Sequence, residues 1–487
     1  MKKYKKVIPI SISEIDSLSD FFYSKGKSLI FLSNLTRETH DILKNTEILK
    51  ELSLSGLIPN SRLVLKKEQN ENFYLEIDAR IVPRRIREMP ANLIKDACEI
   101  LIKVSKILDS FNLILNTFHE SQIALDDKSR PVFVGFKNII NKSANRFAFQ
   151  DYTKYWLGPL IAHSKYNELA PFIRRANHID RKDIILMSHP LLNAIYSSLN
   201  KNSYTSEVAN LIKRILFNSP YSQLIFNSQY LRLLNIMLRD ILRRKRGQTL
   251  SNDWIEISLD VLLKRINKIC ISSSNERWSE YHTDYHLNDI IDNDTPDWES
   301  WYSGTRPKEI LNFLKNCEPS SVLDLGANQG YFSIMSAKLG HQVTALDYDG
   351  SAINQLYLML KDKNFKLSIT PGIFDFTKFN FDNFDRFYSD ITLALGFTHH
   401  MRLVELLPWR KICEILSRLT KKLLITEFKD GTKARAHFFQ DDKDVVNDYN
   451  LDAFVRELRL CFNEVLVIEG LSQNTNAPVR HLIVCKK

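Results

Sequence analysis

Asp324, Asp347 and Asp375 each follow a run of apolar, β-favouring residues, and the first is followed by two glycines in "DLGANQG". Read as strand ends, the three runs set three carboxylates along one edge of a sheet. Gly326 permits a sharp exit from its strand, and Gly330 lets the next helix begin close to whatever lies against the turn. The start of that helix offers unpaired backbone N–H groups. Carboxylates so placed accept hydrogen bonds from hydroxyl or amino groups. Farther on, His399 and His400 stand together after "LALGFT", and Glu427 lies in "LLITEF". A histidine at a strand end has the ordinary pKa for taking a proton from a hydroxyl near neutral pH. Glu427 would hold a substrate or steer a histidine tautomer. Two histidines and a glutamate can also hold a metal, but their spacing matches no helical metal motif, and no metal is expected.

Two ligand classes use a glycine turn between a strand and a helix. A dinucleotide rests its pyrophosphate on the helix N-terminus and uses G-x-G-x-x-G. Here the pattern is D-x-G-x-x-x-G, and the middle glycine is missing. S-adenosylmethionine has no phosphate and uses acids: one near its amino group, one on its ribose hydroxyls. Asp324 and Asp347 fit those places, while Asp375 and Phe376 are expected at the adenine. Asp349 rivals Asp347 but is equally well placed to cap the following helix. Asn328, Tyr331, Phe332, Tyr348 and Leu395 flank the same turns and are expected to line the same ligand.

The elements that must position these residues alternate. After Arg306 the sequence reads helix, "SVLDLG", helix, "QVTALDYD", helix, "KLSIT", "DITLALG", a helix over "LVELLPWRKICEILSRLT", and "KLLITEF". It closes with the helix "LDAFVRELRLC" and the strands "EVLVIEG" and "VRHLIVC". Such alternation predicts a Rossmann-like α/β domain whose closing strands form an antiparallel hairpin, over residues 308–487. Residues 1–275 read as a separate α+β domain. Its strands are "SLIFL", "RLVLKK", "NFYLEIDARIV" and the pair "QIALDD" and "RPVFVGF". Helical spacing follows from Pro90, and later over Leu192–Ser198, Glu207–Phe217, Tyr230–Arg243 and Leu259–Ile269. Between the two lies an aromatic-rich connector, 276–307. Its Trp278, Tyr281, Tyr285, Trp298 and Trp301 would form a lid over the ligand or pack between domains.

The chain has 487 residues and a formal charge of +10. The densest basic run, "RDILRRKRG", reads as a solvated helix end rather than a nucleic-acid surface, because no aromatic-rich RNA module accompanies it. The six cysteines form no C-x-x-C pair, which argues against a structural zinc or a disulfide framework. No apolar run approaches the ~20 residues that span a bilayer, and the N-terminus lacks a secretory core. A cytoplasmic location is expected.

With "RWSEYHTDY", "VLDLGANQGYFS", "VTALDYD", "LALGFTHHM" and "LLITEF", the sequence resembles class I S-adenosylmethionine-dependent methyltransferases over about residues 276–487. Within them it resembles long bacterial, nodulation-type proteins with a kinase-like N-terminal domain. "RPVFVGFKNI" and "DYTKYWLGPLIAHSKYNE" carry that second, weaker likeness. The resemblance implies methyl transfer to a small molecule or saccharide, at oxygen, in secondary metabolism or surface glycan synthesis. RNA or protein as acceptor, or a scaffold that binds the cofactor without turnover, are the alternatives. A working kinase would carry carboxylates where Asn116 and Gly135 stand, so the resemblance implies a relic serving as scaffold or substrate platform. Lys429, Lys433, Arg435 and His437 follow the fifth strand and suit an anionic or carbohydrate-like substrate.

Overall fold

A computed structural model describes residues 21–25, 28–59, 61–67, 71–77, 86–126, 128–142, 152–165, 259–271, 287–294, 297–302, 304–376, 387–430, 448–468, 470 and 479–487. The helices expected over Leu192–Ser198, Glu207–Phe217 and Tyr230–Arg243 lie outside these residues. So do the run "RDILRRKRG" and Trp278, Tyr281, Tyr285, Lys433, Arg435 and His437.

The N-terminal part opens with β1 (Phe21–Lys25), β2 (Ser28–Leu35), α1 (Arg37–Asn45), α2 (Ile48–Leu54), β3 (Ser61–Lys67) and β4 (Glu71–Ile77). The four strands make an antiparallel sheet in the order β1-β2-β4-β3. The long helix α3 (Ala91–Ser110) buries Ile94, Ala97, Leu101, Val104 and Leu108 along one stripe, as the 3.6-residue period requires. Short strands follow: β5 (Leu113–Leu115), β6 (Ile123–Leu125), β7 (Pro131–Phe133) and β8 (Ile139–Asn141). Of these, β6 and β7 form the expected hairpin. At Gly135 a Cβ would stand 2.5 Å from Gln122 Cγ, and the Gln122 side chain is fixed by bonds to the Thr117 carbonyl and the His119 N–H. No side chain fits at 135, and Asn116 supplies no carboxylate.

Helices α4 (Gly158–Lys165), α5 (Leu259–Asn267), α6 (Leu287–Asp292), α7 (Trp298–Trp301) and α8 (Thr305–Lys315) lead to the second sheet. It comprises β9 (Ser321–Leu325), β10 (Gln342–Asp347), β11 (Ile369–Ile373), β12 (Ser389–Ala394), β13 (Thr420–Lys429), β14 (Glu464–Ile468) and β15 (Arg480–Lys486). The order is β11-β10-β9-β12-β13-β15-β14, and β15 alone runs opposite to the other six. The intervening helices are α9 (Tyr331–Lys338), α10 (Gly350–Asp362), α11 (Thr398–Leu403), α12 (Trp409–Leu419) and α13 (Leu451–Cys461). This is the Rossmann-like fold with an antiparallel closing hairpin that the sequence predicts.

Two boundaries differ from expectation. The third strand lies over 369–373 rather than "KLSIT", and it contains Pro371 and Gly372. It pairs only with β10, at the sheet edge, where a missing N–H is tolerated. The single helix expected over "LVELLPWRKICEILSRLT" is broken. Pro408 disfavours helical backbone before it, so α12 begins at Trp409 and the histidines stand on the separate short helix α11.

The two parts share one apolar core. Helix α3 lies on α10: Asp96 accepts from the Tyr357 hydroxyl (2.6 Å) and pairs with Lys361 (2.7 Å), and Asn354 Oδ1 accepts from the Asn92 N–H (2.8 Å). Burial raises the thiols of Cys98 and Cys485 to about 12, so both stay protonated. No helix among the described residues is long and apolar enough to cross a membrane.

Candidate active site

The carboxyl ends of β9, β10, β12 and β13 and the start of β15 meet at one edge of the sheet. The turn after β9 is held by the Leu346 carbonyl, which accepts from the N–H groups of Gly326 (2.9 Å) and Ala327 (3.0 Å). Left-handed backbone at Gly326 (φ 76°), Asn328 (φ 50°) and Gly330 (φ 88°) makes the tight curve. A Cβ on Gly330 would lie 2.7 Å from Leu356 of α10. Its smallness therefore serves the packing of α9 on α10. A Cβ on Gly326 would meet Phe397 at an ordinary 3.6 Å, so there the positive φ is the constraint.

Asp347 closes this loop from β10. Its two oxygens accept from the N–H groups of Asn328 and Asp349, each at 2.8 Å. Asp349 caps α10, accepting from the Ser351 and Ala352 N–H groups at 2.8 and 3.1 Å, which separates it from its rival Asp347. The other Asp349 oxygen, Oδ2, is buried with no hydrogen-bond partner among the described residues. Asp324 lies beneath, 2% exposed, accepting from the Ser333 hydroxyl at 2.6 Å. Burial lifts Asp324 to about 7 and Asp347 to about 6, and the neighbouring carboxylates add to both shifts.

Asp375 is half-buried after β11. Phe376 is buried, edge-on to Phe397 with ring centroids 4.8 Å apart, so the ends of β11 and β12 touch beside Gly326. Leu395 is buried in the turn after β12. Tyr348 is 49% exposed. Tyr331 and Phe332 do not stand open: the Tyr331 hydroxyl donates to the Trp301 carbonyl (3.0 Å), and its ring packs on Tyr302 and Phe332. Trp301 is thereby fastened to the first turn of α9.

On the other side of the turn, Glu427 is 1% exposed. Its Oε2 accepts from Arg306 Nε (2.7 Å), and its Oε1 accepts from the Gly396 N–H (2.6 Å) and pairs with Arg480. These partners outweigh burial and hold its carboxyl below the usual range. Glu427 is thus an anion clamped by two arginines and a backbone N–H. Arg306 also lies over the Phe332 ring, 5.1 Å from its centroid. Neither arginine was singled out from sequence, since each lies far along the chain from Glu427.

The histidine rings lie tilted against one another, at 42° with centroids 4.1 Å apart. His399 is 5% exposed, and burial with the charges of His400, Lys429, Arg480 and Arg306 brings it down to about 2. His400 is half-buried and lowered to about 4, by burial and then by Lys429 and Arg480. The sequence reading gave them an ordinary imidazole pKa; burial among cations corrects it. Both are neutral at pH 7. Among the described residues no group of three or more His, Cys, Asp or Glu could hold a metal.

The family model of the tellurite resistance protein TehB matches residues 298–414. The nodulation protein NoeA of Rhizobium meliloti (strain 1021) is 24% identical over 185 residues. The match covers 36% of each chain, so this chain spans about a third of that relative. Among solved structures, the PH0226 protein of Pyrococcus horikoshii OT3 matches with a TM-score of 0.29 at 16% identity, over 42% of this chain and 98% of that one. A SAM-dependent methyltransferase of Methanosarcina mazei matches with a TM-score of 0.30 at 14% identity, over 36% and 96%. The strand order, the acidic strand ends and the family match define a class I S-adenosylmethionine-dependent methyltransferase domain. The cofactor of that class is S-adenosylmethionine.

The donor set fits it. The sulfonium and the amino group of this cofactor are both cationic, and this half of the site presents Asp324, Asp347 and Asp349. A pyrophosphate would meet the same three acids as like charge. A pH dependence follows. Ionised Asp324 and Asp347 favour a cationic ligand, and each is protonated as pH falls through about 7 and about 6. Affinity for S-adenosylmethionine should therefore drop about tenfold or more between pH 8 and pH 5, with proton release on binding at the lower pH. Calorimetry in buffers of different ionisation enthalpy reads both.

Proposed function

We propose that the chain transfers a methyl group from S-adenosylmethionine to a hydroxyl oxygen of a small molecule or saccharide, in secondary metabolism or surface glycan synthesis. The observation that carries this reading is the division of one edge of the sheet. Buried acids end β9 and β10, two neutral histidines stand after β12 beside Lys429 and Arg480, and the charge of Arg306 acts on both Asp324 and His399. Asp347 accepts the ribose hydroxyl protons, and Asp324 lies under the turn as the acid near the amino group. Asp375 and Phe376 take the adenine side. The cofactor supplies an electrophilic methyl carbon when bound. His400, the more exposed imidazole, takes the proton of the accepting hydroxyl at a ring nitrogen, while His399 is too deeply buried to hold a charge. Arg306 and Glu427 fix the floor between the halves. Residues 1–275 serve as scaffold or substrate platform, an assignment supported by the seating of α3 on α10, the helix that Asp349 caps.

The test pairs binding with turnover. S-adenosylhomocysteine should bind the full chain saturably in calorimetry. Methyl-labelled S-adenosylmethionine with a small-molecule or glycan extract should give a labelled product that resists protease and nuclease. Label in RNA or protein would move the acceptor to those classes. Binding without transfer to any acceptor would favour a scaffold.

A further inference from the structure

Lys429 and Arg480 stand directly opposite one another on the last rung between β13 and β15. Like charges at facing positions of an antiparallel pair cost stability, so fold alone gives no reason for the arrangement. Glu427, two residues before Lys429, does not resolve it. Its oxygens are taken by Arg306, Arg480 and the Gly396 N–H. The Lys429 ammonium is half-buried and has no hydrogen-bond or ion-pair partner among the described residues. Burial, then repulsion from Arg480, lowers its pKa. Arg402, on the histidine helix α11, is already paired with Asp448. Arg306, Arg480 and Lys429 therefore face one carboxylate, beside the histidines.

Glu427 still attracts the Lys429 ammonium, but a half-buried cation that shares one carboxylate with two arginines is costly unless a ligand supplies a further counter-ion. We infer that the methyl acceptor carries an oxyanion, a carboxylate or a phosphate, which docks between Lys429 and Arg480 beside the histidine pair. This inference rests on the methyltransferase reading for the word acceptor, but the anion site can be measured without it. The guanidinium presents a planar fork and the ammonium a point charge, and together they suit an oxyanion with at least two free oxygens. The oxyanion is the handle; the accepting oxygen lies next to it.

The test is titration calorimetry of the full, cofactor-free chain with inorganic phosphate and, separately, with acetate. One saturable site is expected for at least one of them, and the tighter of the two identifies the phosphate or the carboxylate form. Lys429→Gln, which breaks no internal bond, should weaken that site about tenfold or more. Lys429→Gln combined with Arg480→Gln should abolish it. Because Arg480 also holds Glu427, the thermal unfolding and S-adenosylhomocysteine affinity of each variant are measured alongside. Failure of S-adenosylhomocysteine to bind the parent chain would remove the reading on which this one rests. If it binds but neither anion saturates, or if Lys429→Gln binds the anion as the parent does, the oxyanion site alone is overturned.

Discussion

His400→Ala should lower kcat by about 10²–10⁴-fold while leaving S-adenosylhomocysteine affinity close to that of the parent. The acids proposed to hold the cofactor come from β9 and β10, whereas His400 stands on α11 after β12. His399→Ala should cost less, because that ring is 5% exposed and is brought down to about 2 by burial and its neighbours. The pH profile carries more information than the loss itself. In the free chain His400 is lowered to about 4, so it is protonated, and idle as a base, only below that pH. Burial lowers it most, and the charges of Lys429 and Arg480 lower it further. An oxyanion docked against those two cations would cancel their part of the shift and raise the imidazole's basicity, the part due to burial remaining. The acid limb of kcat should therefore lie above the limb of kcat/KM, since the first reports the occupied site and the second the free one. His400→Ala should lack both. Full kcat in both single variants and in the double variant would put the base elsewhere, or show that none is needed. Glu427 is then a poor successor, for two arginines hold its carboxylate.

The part of this site that was legible in the sequence is the part built from short-range chemistry. "SVLDLG" and "QVTALD" combine β-favouring residues with a terminal acid, so strand, turn and carboxylate could be read together. The capping role of Asp349 follows from an acid standing just before a helical period. What could not be read depends on partners distant along the chain. Arg306 reaches Glu427 across 121 residues and Arg480 across 53, and no local pattern announces either. The same holds for Gly330, whose neighbour Leu356 lies on the next helix. The histidine pair was found by position, but its basicity was misjudged. A pKa is set by burial and surrounding charge, and both are properties of the assembled cluster. The break before α12 had a visible cause in Pro408. A continuous apolar period across it outweighed that signal.

Asp347→Asn should reduce affinity for S-adenosylhomocysteine by about ten- to hundredfold, at nearly constant side-chain volume. The native carboxylate has two oxygens, and each already accepts one backbone N–H, from Asn328 and from Asp349. An amide has only one oxygen. Either orientation therefore turns an NH₂ group toward a backbone N–H, leaving that donor unsatisfied at a cost of about 1–3 kcal/mol. The amide also loses the acceptor assigned to the ribose hydroxyls. The charge-assisted part of this loss should be pH-dependent: as pH falls through about 6 the parent Asp347 is protonated, and the two proteins should converge. Gly326→Val reaches the same loop by another route. Its Cβ would have room against Phe397, but a β-branched residue resists the φ of 76°. The turn should therefore relax, and cofactor affinity should fall. Gly330→Ala adds packing damage to loop strain: its φ of 88° disfavours alanine and its Cβ would clash with Leu356, so it should lower the unfolding temperature as well as the affinity. If Asp347→Asn binds the cofactor as tightly as the parent across the whole pH range, the acid at the end of β10 does not hold the ribose, and the acidic half of the cleft has been read wrongly.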